Sequence, residues 1–144
     1  MALAVGAIAP GFTAKDTEGK TVSLSDFAGK TVVLYFYPKD DTPGCTKEAQ
    51  SFRDAHEEYK TKDMVVLGVS TDNEASHKKF TEKYGLPFQL IADVDKAVTI
   101  AYDADGGGYA KRVTYVIDGT GTIAQVYEKV KTDTHAQDIL AAIA

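Results

Sequence analysis

The chain is poor in several features that would have decided its class at once. It has a single cysteine, Cys45, so no disulfide can close within it and no Cys-x-x-Cys pair is present. That points to a reducing, cytoplasmic setting. No apolar run approaches the ~20 residues of a membrane span. The stretch from Met1 to Ala9 is mildly apolar but lacks the basic start of a signal peptide, and it soon enters Pro10-Gly11-Phe12. There is no polybasic patch, and the net charge of −5 argues against nucleic acid and membrane surfaces as partners. The three histidines, His56, His77 and His135, are widely scattered without metal-ligand spacing, so no metal is expected. Gly106-Gly107-Gly108 opens no strand-to-helix phosphate loop, which argues against a nucleotide.

What remains is an ordinary globular composition, 44% hydrophobic and 26% charged, in 144 residues. That is one domain, residues 1–144, large enough to bury a proper core. Repeats, low-complexity tracts and linkers are lacking.

The one cysteine lies at an informative place. Val32-Val33-Leu34-Tyr35-Phe36-Tyr37 is a short β-rich apolar run and reads as a buried strand, its aromatics facing core or a pocket wall. Pro38 stops it. Thr42 suits a helix N-cap and Pro43 the first helical position. Apolar residues then recur at Cys45, Ala49, Phe52, Ala55 and Tyr59, a helical spacing. Cys45 therefore falls in the first turn of a helix. Free N–H groups and the helix dipole there favour thiolate over thiol, and thiolate is the reactive form. Gly44 leaves its backbone open to a small ligand. A lone cysteine can also be just a small buried hydrophobe, and spacing alone leaves both readings open.

The remaining elements alternate. Residues 12–14 and 21–24 read as a hairpin around a Gly turn, and 25–30 as one helical turn. Strands follow at 31–37, 64–70, 88–91, 113–117 and 122–127. Helices are expected from Cys45 onward, at 73–84 ending on Gly85, at 94–102 and at 134–143. Strand–helix alternation gives an α/β class with a parallel part, and the closing hairpin makes the central sheet mixed.

The segment Pro38-x-x-x-Thr42-x-x-Cys45 resembles the active-site motif of the peroxiredoxins. The longer string from Phe36 to Ala49 is similar to the branch called bacterioferritin comigratory protein or peroxiredoxin Q. Gly6-x-x-Ala9-Pro10-x-Phe12, Leu67-Gly68-Val69-Ser70-x-Asp72 and Arg112-x-Thr114-Tyr115-Val116-Ile117-Asp118 extend the likeness along essentially the whole chain. The resemblance implies a thioredoxin-like fold, a mixed sheet flanked by helices, with an N-terminal β-hairpin extension. It implies a thiol-dependent peroxidase acting on hydrogen peroxide and organic hydroperoxides without metal, haem or flavin. Cys45 would be the nucleophile, Arg112 the electrostatic stabiliser, Thr42 the peroxide orienter and Pro38 a shield for the sulfur. The N–H groups of Gly44 and Cys45 would bind peroxide oxygens.

Read without the resemblance, Arg112 is a solvated strand-end charge and Pro38 a plain strand terminator. Arg53 looks like the family's second arginine near the site. Glu48 either supports Arg112 or is a solvated helix charge, the plainer reading. Asp40 and Asp41 disfavour a thiolate and are expected to face solvent. One departure stands out. Many members of the branch carry a resolving cysteine five residues after the first, where this chain has Gln50. A sulfenic acid at Cys45 would then need an external thiol, from thioredoxin, glutaredoxin, glutathione or a second subunit, in a monomer or weak dimer. The rivals are a redox relay that passes oxidation to a partner protein, and a thiol–disulfide oxidoreductase; the latter is disfavoured by Thr at position 42 and the lack of a second cysteine.

Overall fold

Strand β3 (Thr31–Phe36) organises the molecule: five of its six residues are buried. Such a run survives only with a layer on each face. In the computed structural model, which describes residues 2–143, β3 pairs in parallel with β4 (Met64–Ser70) and antiparallel with β6 (Val113–Ile117). Strands β5 (Gln89–Ala92) and β7 (Ile123–Tyr127) complete a mixed sheet of order β5-β4-β3-β6-β7. The expected N-terminal hairpin forms a separate two-stranded sheet from β1 (Thr13–Lys15) and β2 (Thr21–Ser23).

The strand period of two divides the core. Val33, Tyr35 and Tyr37 face one layer, with Ala49 and Phe52 of helix α1 (Pro43–Asp54), Tyr59 of α2 (His56–Thr61), Phe80 of α3 (Glu74–Tyr84) and Ile139 of α5 (His135–Ile143). Val32, Leu34 and Phe36 face the other, with Val22 of the hairpin, Val98 of α4 (Ala97–Ala101) and Tyr115. Gly68 lies opposite Tyr35 in the β3–β4 register. A β-carbon there would come within 2.7 Å of Leu90 and 2.8 Å of the Tyr35 ring. Tyr35 in turn stacks on Phe52, with ring centres 4.6 Å apart, directly beneath α1.

Two departures from the sequence reading have a clear physical cause. Helix α4 starts at Ala97, not Val94, because the Asp93 carboxylate accepts the N–H groups of Val98 and Thr99 and fixes the first turn there. The apolar series from Cys45 to Tyr59 runs through two helices, since Ala55 departs from helical geometry at φ −94°, ψ 3°. Helix α3 ends as expected, with Gly85 left-handed at φ 61°. Among the described residues, no helix is long and apolar enough to cross a membrane.

Candidate active site

The site is built where β3 hands the chain to α1. Pro38 ends the strand and residues 38–42 form a short loop. Thr42 takes an extended conformation at the N-cap and Pro43 opens the helix. The first helical hydrogen bond runs from Thr46 N–H to the Thr42 carbonyl, 2.8 Å. The N–H groups of Gly44 and Cys45 lie ahead of that bond, in the turn where a helix leaves donors unused. The Thr42 side chain does not cap them, contrary to one of its expected roles. Its hydroxyl donates to the Lys39 carbonyl at 2.9 Å, which leaves the oxygen's acceptor capacity free.

Cys45, 1% exposed, is the third residue of α1. Arg112 stands immediately before β6. The antiparallel register that sets Phe36 against Val113 brings it to the loop end of β3. Its Nη2 donates to Cys45 Sγ at 3.3 Å and its Nη1 to Glu48 Oε1 at 2.6 Å. The guanidinium thus bridges nucleophile candidate and carboxylate, in the planar fork that a lysine lacks. Gly44 makes room for it, since a β-carbon there would lie 3.1 Å from Nη2.

Glu48 is fully buried, which overturns the reading of it as a solvated helix charge. Helical phase explains why: Glu48 lies one turn on from Cys45, on the face that carries Ala49 and Phe52 into the core. Burial pushes its carboxyl up to about 7, although Arg112 pulls the other way by charge and hydrogen bond. Burial opposes the Arg112 charge as well, but Glu48 and Cys45 outweigh it and hold the guanidinium above its ordinary value. Arginine is charged at any working pH, so the carboxyl is the member of this pair that titrates.

Among the described residues, Glu48 Oε2 has no hydrogen-bond partner. It lies 3.9 Å from Nε2 of His135, which in turn meets the Thr114 hydroxyl at 2.8 Å. Burial pushes His135 down to about 4, with Asp138 opposing and Arg112 adding to the fall. A neutral imidazole therefore sits behind the Arg112–Glu48 pair at neutral pH.

The other sequence candidates divide. Pro38 lines a hollow of about 350 Å³ with Lys39, Thr71, Asp72, Gly108 and Tyr109. Arg53 joins neither Cys45 nor Arg112; it bonds Asp54 and the Tyr84 carbonyl, tying α1 to the end of α3. Asp41 faces solvent, paired with Lys83 and Tyr84. Asp40 does not. It is buried, with its carboxylate accepting from Tyr37, Ser76 and His77, because α3 packs over the loop. His77 and His135 escaped the sequence reading as site neighbours. Neither carries a local signal, as His77 meets Asp40 across 37 residues of chain and His135 meets Thr114 across 21.

The sequence profile of the AhpC/TSA family matches residues 5–126. Peroxiredoxin Bcp of Bacillus subtilis is 42% identical over 151 aligned positions, covering 99% of this chain and 96% of its own length. Among solved structures, a Xylella fastidiosa PrxQ mutant superposes with a TM-score of 0.93 at 29% identity, covering 99% of this chain and 96% of that one. The bacterioferritin comigratory protein of Xanthomonas campestris, solved to explain its alkyl peroxide reduction activity, superposes at 0.86 with 34% identity, covering 92% and 89%.

Proposed function

The chain belongs to the AhpC/TSA family, in its Bcp and peroxiredoxin Q branch, and from that premise we propose how its residues carry out the reaction. The fold is thioredoxin-like and the protein is a thiol-dependent peroxidase.

Cys45 is the nucleophile. Its thiolate attacks one oxygen of a hydroperoxide; an S–O bond forms and the O–O bond breaks. The sulfur supplies the electron pair, and the departing alkoxide or hydroxide takes a proton from solvent. The products are a sulfenic acid and an alcohol or water. Arg112 steadies the sulfur before attack and the charge developing on the oxygens during it, work suited to a donor that is already fixed in place. Its hold on Glu48 supplies the fixing. Thr42 accepts from the peroxide O–H while its own O–H donates to the Lys39 carbonyl. The free N–H groups of Gly44 and Cys45 receive the oxygens as a helix N-terminus receives an anion. Pro38, with no N–H of its own, walls the site.

The sulfenic acid has no internal partner, because Cys45 is the only cysteine. An external thiol attacks the sulfur, releases water and forms a mixed disulfide; a second thiol restores Cys45. Glutathione or the cysteine of a thioredoxin or glutaredoxin can fill this role, as can Cys45 of a second copy. At 1% exposure Cys45 is buried, so the first turn of α1 must open before a protein thiol can reach the sulfur.

The observation that carries this reading is the Arg112 bridge between Cys45 Sγ and Glu48. The test is stopped-flow peroxide consumption with and without glutathione, comparing wild type with Cys45→Ser. Serine keeps the shape but not the thiolate, and the reaction should vanish. Retention of about a tenth of the rate, only ~1.4 kcal/mol of barrier, would place the chemistry elsewhere.

A further inference from the structure

Asp40 and His77 lie outside the machinery just described, yet both are buried and they meet directly. His77 Nδ1 is 2.7 Å from Asp40 Oδ2, with the side chains 0% and 4% exposed. His77 Nε2 is 2.9 Å from the Ile91 carbonyl on β5. A carbonyl only accepts, so Nε2 carries a proton. The Asp40 carboxylate also receives the Tyr37 hydroxyl on Oδ1 at 2.6 Å and the Ser76 hydroxyl on Oδ2 at 2.8 Å. Two hydroxyls thus donate to the carboxylate, and donation from Nδ1 as well would complete its hydrogen bonds and make the imidazole an imidazolium.

The other titratable groups facing His77 are Tyr37, whose hydroxyl is 3.5 Å from Nδ1, and Asp72, close to both members. From β5 it meets a backbone carbonyl. Asp40, Asp72 and His77 are near enough to one another to ligate a cation. Their facing atoms are already engaged, however: Asp72 Oδ2 takes the Asp40 N–H at 2.8 Å and the Ser70 hydroxyl at 2.7 Å.

Asp40 stands between Pro38 and Thr42. Its side chain is tied to α3 and its backbone N–H to Asp72, two residues past β4. The next residue, Asp41, is left-handed at φ 58°, a conformation that costs a non-glycine residue energy and persists only when its surroundings hold it. We propose that Asp40 and His77 form a buried ion pair that positions the 38–42 loop, and with it the Thr42 hydroxyl and the Gly44 and Cys45 N–H groups, for peroxide. The pair touches no reacting atom; it acts through the loop. Removing either member strands the other charge in the interior, which is far costlier than losing a surface pair.

The reaction readout rests on the assignment of Cys45 as nucleophile, but the charge state of the pair does not. Nitrogen-15 NMR of wild-type protein labelled at histidine reads that state alone. Both ring nitrogens of His77 should be protonated at neutral pH; a single protonated nitrogen overturns the ion pair. The second arm compares His77→Gln with wild type in two reactions of Cys45, with hydrogen peroxide and with iodoacetamide, which needs no peroxide-orienting groups. The peroxide rate constant should fall by about tenfold or more while alkylation does not slow. A smaller loss, or a parallel fall in both reactions, overturns the positioning role. Should His77→Gln fail to fold, Asp40→Asn is measured in its place against the same outcomes. A wild type that does not react with peroxide at all would instead refute the nucleophile assignment.

Discussion

A β-carbon on Gly44 would lie 3.1 Å from Arg112 Nη2, so the guanidinium reaches Cys45 through space that a side chain at position 44 would crowd. Gly44→Ala therefore sets two effects against each other. Alanine is the better helix former by about 1 kcal/mol, so thermal stability should hold or rise. The displaced guanidinium should cost about tenfold in the peroxide reaction. Melting temperature and stopped-flow rate together check this. Full activity would mean that Arg112 shifts freely without loss.

Arg112→Lys keeps the charge but loses the fork that spans Sγ and Glu48 Oε1. The peroxide rate constant should drop by more than about tenfold, or ~1.4 kcal/mol of barrier. A smaller loss would make Arg112 a point charge and nothing more.

Gly68→Ala tests the floor under the site. The new methyl would come within 2.9 Å of three atoms of Leu90 and Tyr35, both buried. Overpacking of this kind costs about 1–3 kcal/mol, visible as a lower urea midpoint. Unchanged stability would show that Tyr35 moves aside easily.

Glu48 and His135 give opposite pH dependences. The folded His135 stays neutral down to about 4 against an ordinary 6.5. Its contribution to stability is full above pH 6.5 and is lost as pH falls towards 4. The folded Glu48 keeps its proton up to about 7 against an ordinary 4.5. Its contribution is full below pH 4.5 and is lost as pH rises through 7. Each is worth about 3 kcal/mol at full extent, so in wild type the two slopes largely cancel between those limits. Glu48→Gln removes one of them. Its urea midpoint should fall from pH 7 to about pH 5 relative to wild type measured over the same range. Parallel profiles for the two proteins would contradict the burial argument.

The sequence carried the frame of the site well, because that frame is local. A β-rich run, a Pro, a capping Thr and a Pro-Gly pair place Cys45 in the first turn of a helix with no tertiary information. Glu48 was legible in principle: it shares a helical face with Cys45, Ala49 and Phe52, and periodicity weighed against its charge would have buried it. Asp40 and His77 were not. They are 37 residues apart, and only the parallel pairing of β3 with β4 and the return of α3 over the loop bring them together. The same holds for His135, which reaches Glu48 and Thr114 from the last helix. Thr42 shows the limit at its sharpest. Its place at the N-cap was readable, but the choice of Lys39 over the helix N–H groups as hydroxyl partner depends on a loop conformation that the letters do not encode.

The central claim is that Cys45 alone takes the oxygen and that nothing within the chain removes it. Intact-mass and peptide spectrometry after one equivalent of peroxide tests this most directly. The account predicts one added oxygen on Cys45, lost on adding glutathione, and a second added oxygen when peroxide is in excess and thiol is withheld. Peroxide consumed while Cys45 stays unmodified would contradict it, and so would loss of the added oxygen from Cys45 with no external thiol present.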